Sequence, residues 1–254
     1  MGGLLKAARL EFNQIKAAKA NLLLSLLVPI LVVLVFWVAS SSTLDQWLLE
    51  QIRVDNATYF DFYGPMIFSV LAFFITSQLT VLRIVGERSP YGTLDRDLLA
   101  IPRTSFYVGK LLTNSAIALI QSLVITSSAL LLGVLNRGNP VSMGISLFLV
   151  ALVGVNVGLL FSVFSKTKEQ AVQLIPFALL LFLILSGGII DFTLMPSTVA
   201  GIARLTPLAQ SVDALSGIMF AGKTLAGVAN SLMGLLAWSM ALFIIGLIKF
   251  NTGN

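Results

Sequence analysis

Runs of about 20 mostly apolar residues recur along this chain, each long enough to carry a helix across the ~30 Å hydrocarbon core of a bilayer. Six such runs are read, over residues 22–39, 64–85, 106–135, 143–164, 171–190 and 228–248. Inside hydrocarbon no water is available to bond the backbone. Continuous apolar runs without strand-like alternation therefore satisfy their own amides as helices. The composition agrees: 57% of the 254 residues are hydrophobic and 11% are charged. A soluble domain carries roughly a quarter charged residues. The expected fold is an all-α integral membrane protein with six transmembrane helices. The third run is longer than one span needs, which implies tilt or a first turn among the headgroups. Pro29 should kink the first.

Basic residues orient the bundle. Six spans put both termini on one side, and the segments of that side hold twelve of the sixteen Lys and Arg. The other side holds Arg53, Arg137, Arg204 and Lys223. The excess marks the cytoplasmic face, so the expectation is a multi-pass protein of the cell membrane with both termini cytoplasmic. Before the first span, Leu5, Ala8, Phe12 and Ile15 share one helical face, with Lys6, Arg9, Asn13 and Lys16 away from it. That pattern predicts an amphipathic interfacial helix over residues 1–21. The six-span bundle then occupies 22–248 and a cytoplasmic tail 249–254, as one domain over 1–254. The longest segment between spans has 37 residues, below what folds alone.

The chain has no Cys and no His. Thiolate nucleophiles, His-dependent hydrolases and His or Cys metal sites are therefore excluded. No charged residue falls at mid-membrane in this assignment, whereas ion-coupled carriers need buried ionisable relays. Residues 217–224 read GIMFAGKT and match the phosphate-binding pattern G-x-x-x-x-G-K-[ST]. A working P-loop follows a buried strand. Here Thr206-Pro207 upstream starts a helix, and the expected topology places the stretch outside the cell. The reading is a glycine-flanked loop before a membrane helix.

Between spans two and three the chain reads GERSPYGTLDRDLLAIPRTSFYVGK, residues 86–110. Thr93 can cap a short helix, and Asp95 and Asp97 suit its first turn. Leu94, Leu98 and Ile101 share a face, and Pro102 stops the helix at Ile101. This predicts a short amphipathic helix over 93–101 at the inner membrane edge. It is either a pad for another protein or a solvated connector.

Glu87, Arg88, Gly92, Thr93, Leu94, Asp95, Pro102, Gly109 and Lys110 resemble the inner loop of the ABC type-2 exporter permeases, the daunorubicin-resistance-like group. One extra residue separates Glu87 from Gly92, and Pro102 lies closer to Gly109 than is usual. The resemblance implies that Glu87, Arg88, Gly92, Thr93, Leu94, Asp95, Leu98 and Pro102 form the coupling helix seated on a nucleotide-binding subunit. ATP and Mg would be bound by that partner, with no cofactor on this chain. A second permease chain, identical or related, would complete a dimer among membrane lipids, with no role for nucleic acid. The resemblance extends to the segment 191–227, read as two short helices over 196–205 and 207–220. It implies that these dip into the outer leaflet as re-entrant helices, with Gly187 and Gly188 permitting the bend from span five. Pro196, Pro207 and Asp213 belong to that segment.

Neutral polar residues stand within the spans: Gln78, Asn114, Gln121, Ser128 and Asn156. Asn114, Gln121 and Ser128 step by seven and share a face. Such residues line a pathway or hydrogen-bond neighbouring helices. Gly154 and Gly158 form a G-x-x-x-G suited to close packing, either within the bundle or between copies. The functional expectation is an exporter permease that moves an amphipathic drug, antibiotic or lipid-like molecule outward, with ATP hydrolysed elsewhere. A non-transporting sensor or binding subunit is the alternative. A membrane enzyme ranks third.

Overall fold

The computed structural model describes residues 19–43, 57–87, 102–165 and 167–252. Residues 1–18 of the expected interfacial helix (1–21) and the loop 88–101 lie outside them, and 19–21 form the start of the first helix. The described chain is helical, with one isolated β-bridge between Thr43 and Thr58. The helices are α1 (Lys19–Ser40), α2 (Tyr59–Glu87), α3 (Arg103–Leu131), α4 (Pro140–Phe164), α5 (Lys168–Ile184), α6 (Ser197–Ala203), α7 (Pro207–Met219) and α8 (Ala229–Thr252). Two 3-10 turns, Phe192–Leu194 and Ala226–Val228, precede α6 and α8.

Five of these, α1, α2, α3, α4 and α8, are long and apolar enough to cross a membrane. They match the expected runs within a few residues. The expected span 171–190 is shorter: α5 has 17 residues, or about 26 Å at the usual rise. Local chemistry sets its ends. Thr167 caps it by accepting from the Gln170 N–H, and the chain turns past Ile184 through Ser186, whose hydroxyl accepts from the Gly188 N–H. Gly187 sits at φ +77°, a backbone region that L side chains avoid, with the Phe192 ring packed onto it.

Other ends are equally local. Asn139 accepts from the Val141 N–H at 2.8 Å, with Pro140 at the first helical position of α4. Thr206-Pro207 opens α7 as expected. At the start of α2, Asp61 and Thr58 form a reciprocal cap. The Thr58 N–H and hydroxyl donate to Asp61, and the Asp61 N–H donates back to the Thr58 hydroxyl. The other Asp61 oxygen accepts from the Leu135 N–H at 2.6 Å, fastening the loop after α3 to α2.

α4 is the centre of the bundle, packed against α2, α3 and α8. Its tightest seam is with α2 and lies at the G-x-x-x-G. A Cβ added at Gly154 would stand 2.5 Å from the Phe73 carbonyl oxygen, and one at Gly158 would stand 2.6 Å from that of Ser77. The Thr76 hydroxyl, 2.7 Å from its own Ala72 carbonyl, shares its one proton across the same seam with the Ala151 carbonyl at 3.0 Å. The glycines therefore serve close packing inside this chain, one of the two uses expected of them. α1 is peripheral. Ser25, Pro29, Val33 and Ser40 face the bundle, while Leu23, Leu31, Val35 and Val38 stand exposed.

Candidate functional site

Of the expected coupling residues, Arg88, Gly92, Thr93, Leu94, Asp95 and Leu98 lie outside the described residues. Glu87 is the last residue of α2, and Pro102, in extended backbone at φ −56° and ψ 136°, immediately precedes α3. The loop 88–101 thus joins the ends of two long helices, and those ends are fastened to the bundle. Arg83 of α2 donates to the Asn114 side chain of α3 at 2.9 Å, and Asn114 donates back along its own helix to the Lys110 carbonyl. Phe106 of α3 stacks on Phe250 of α8 at 6.1 Å, and Tyr107 packs against Phe243 and Phe250 and against Gly246. Lys110, expected at the end of the loop, lies two turns inside α3 and is 1% exposed. Its ammonium rests 5.1 Å from the centre of the Phe106 ring, an attraction that offsets part of its desolvation.

The neutral polar residues do not converge on one path. Gln121 explains itself through Pro29. A proline has no N–H, so the Ser25 carbonyl one turn earlier in α1 loses its helical donor. The Gln121 amide reaches across from α3 and donates to that carbonyl at 3.4 Å. Asn156 donates to Ser239 of α8 at 2.9 Å. Ser128 donates to its own helix at the Ile125 carbonyl. Gln78 lines a 420 Å³ groove between α1 and α2 with Ser25, Phe74, Leu82 and Arg83, and its buried amide oxygen has no donor.

The segment before α8 builds a second cavity, also about 420 Å³, lined by Phe192, Arg204, Ala209, Gln210, Asp213 and Ser231. Pro196 stands at the N-cap of α6 and Pro207 in the first turn of α7, and their fixed φ values set the two helix starts. The Ser231 hydroxyl donates to Asp213 at 2.6 Å, and the Trp238 indole donates to the Leu205 carbonyl at 2.6 Å, so α8 is bonded to the segment twice. The Arg204 guanidinium lies 5.2 Å from the Phe192 ring centre. Hydrogen bonds from the Thr193 hydroxyl and N–H hold the Asp191 carboxyl below the usual carboxylate range, with a smaller contribution from Arg204.

GIMFAGKT has no phosphate cradle. Gly217, Ile218 and Met219 are the buried last turn of α7, a helix where a P-loop requires a strand. The Lys223 N–H is spent on the Gly217 carbonyl at 3.0 Å, and the Lys223 stem packs on Gly217 and Gly227. These residues do not fit a nucleotide.

Four functional candidates escaped the sequence: Asp61, Gln210, Ser211 and Ser239. Thr58-x-x-Asp61 was a readable capping signal. The Ser69–Ser211 contact at 2.8 Å joins residues 142 apart, and nothing local announces it.

Comparison with known proteins places this geometry. The family model of the ABC-2 type transporter matches residues 5–220. ABC transporter G family member 23 of Dictyostelium discoideum is 31% identical over 166 residues, covering 65% of this chain and 23% of that protein. ABC transporter G family member 20 of the same organism is 27% identical over 204 residues, covering 77% and 27% respectively. The chain thus spans about a quarter of the length of these relatives. With a family match across most of its residues and five helices fit to cross a bilayer, this multi-pass membrane protein belongs to the ABC-2 type transporter family.

Proposed function

We propose that the chain is the transmembrane permease of an ABC exporter, driven by ATP hydrolysed on a separate nucleotide-binding subunit. The observation that carries this reading is the family match, which runs through the loop 88–101. That loop ties together α2 and α3, both locked into the bundle at the Arg83–Asn114 and Phe106–Phe250 contacts. A push on it reaches α8 through the aromatic contacts and, along α8, the segment at the far end. The chain binds no nucleotide of its own and acts as transporter rather than enzyme. ATP and Mg sit on the partner.

In this reading α5, extended by the turn at Ser186, completes a sixth span, and both termini are cytoplasmic. α6 and α7 dip into the outer leaflet, a placement supported by the exposed Leu194, Ile202 and Leu205. A second permease chain, identical or related, pairs with this one in the cell membrane. The cargo is an amphipathic drug, antibiotic or lipid-like molecule.

Leu98→Asp tests the coupling step by placing a charge among Leu94, Leu98 and Ile101, the side that the sequence pattern makes apolar. The variant should insert normally and lose either co-purification with the nucleotide-binding subunit or transport-coupled hydrolysis. Export at the wild-type rate with the partner bound would reduce the loop to a connector. A wild-type complex that hydrolyses ATP but moves no cargo in proteoliposomes would instead favour the sensor or binding subunit.

A further inference from the structure

The cavity between α7 and α8 gathers groups of both charge signs beside an aromatic ring. Its wall carries a guanidinium, a carboxylate, an amide side chain and an aromatic ring. Arg204 forms no salt bridge among the described residues, and its guanidinium covers the Phe192 ring. Asp213 receives one donor, the Ser231 hydroxyl, on one of its two oxygens. The Gln210 amide oxygen is buried without a donor. Beside the cavity, Leu194, Ile202 and Leu205 are 79%, 65% and 64% exposed, apolar surface suited to acyl chains.

We propose that this cavity is a headgroup site for a phosphate zwitterion with a primary ammonium, the chemistry of phosphoethanolamine. The phosphate takes the free N–H groups of Arg204, whose planar fork matches two phosphate oxygens. The ammonium donates to Asp213, whose second oxygen has no donor. A choline headgroup fails twice. Its trimethylammonium has no N–H for Asp213, and the Phe192 face that would attract it is already covered by Arg204. The exposed leucines and isoleucine point to a phospholipid as the source of the headgroup. This inference rests on the membrane placement of the chain and not on transport.

The test is native mass spectrometry of the purified full-length protein from nanodiscs holding phosphatidylethanolamine and phosphatidylcholine in equal amounts. The wild type should retain the ethanolamine lipid in preference. Asp213→Asn keeps an acceptor for Ser231 and should lower that preference about tenfold, the size of one charged hydrogen bond. Arg204→Gln should weaken retention of both lipids. Both side chains are exposed, and matching thermal unfolding would certify the fold. Displacement of the lipid by soluble phosphoethanolamine would assign recognition to the headgroup alone. Failure to displace it would assign a share to the acyl chains, and either result supports the site. Equal retention of the two lipids by the wild type, or unchanged preference in folded Asp213→Asn, overturns it.

Discussion

Gly154→Ala is the sharpest probe of how the bundle is held together. The added methyl would lie 2.5 Å from the Phe73 carbonyl oxygen, where ordinary contact begins at 3.4 Å. The Thr76 hydroxyl is closer still, but the carbonyl is backbone that no rotamer change moves, so α2 and α4 must separate locally by about 0.9 Å. Overpacking of this kind costs about 1–3 kcal/mol. The separation also stretches the bond from the Thr76 hydroxyl to the Ala151 carbonyl, now 3.0 Å. Such bonds average about 0.6 kcal/mol between membrane helices. The expected loss is therefore about 1.6–3.6 kcal/mol, measured by reversible SDS unfolding in mixed micelles. Thr76→Ala in the same chain should recover only part of it, since the Phe73 carbonyl stays in place. The control is Gly144→Ala on the same helix, whose methyl would make an ordinary 3.6 Å contact with Thr126. That change should be neutral or stabilising by up to about 1 kcal/mol, the usual helix gain of Ala over Gly. If Gly154→Ala and Gly144→Ala unfold at the same SDS fraction, the α2–α4 seam is not closed by these glycines.

Gln121→Leu should destabilise the chain by about 0.6–1.7 kcal/mol, and in a Pro29→Ala background, where the Ser25 carbonyl regains its helical donor, the effect should fall to near zero; an equal loss in both backgrounds would show that Gln121 does not serve that carbonyl. Lys223→Ala should leave the ATPase rate of the assembled complex unchanged, because that lysine packs on glycines; a fall matching that from the partner's own P-loop lysine would refute the topology. Single cysteines at Asp45 and Asp97, in a chain that has none, should divide in intact cells: an impermeant thiol reagent should label the first and spare the second, and the opposite pattern would invert the bundle.

Five of the six expected spans were legible because hydrocarbon accepts so few residue types. The start at Thr206-Pro207 was legible because a proline acts on its own neighbours, whereas the end of α5 at Ile184 fell short of the expected 190. The direction each helix faces was not. α4 is apolar on every side and buried through most of its length, so its periodicity carries no information about what lies where. The seven-residue spacing of Asn114, Gln121 and Ser128 did place them along one helix. Their uses differ because each meets a different neighbour: Arg83, the Ser25 carbonyl and its own backbone. The cavity of Arg204, Gln210 and Asp213 was invisible for the same reason, since its residues meet only when α7 lies against α8.

The seam between α2 and α4 also sets a timetable for biogenesis. The Thr76 hydroxyl and its acceptor at Ala151 are 75 residues apart, so at about 5–20 residues per second the ribosome needs roughly 4–15 seconds to deliver the second after the first. Through that interval the face of α2 that bears Thr76, Ser77 and Thr80 has no partner. Each hydroxyl can turn back on its own helix, as Thr76 does to the Ala72 carbonyl and Ser77 to the Phe74 carbonyl. The nascent α2 therefore enters lipid already self-satisfied and waits there, and the arrival of α4 converts an independent insertion into a docked pair.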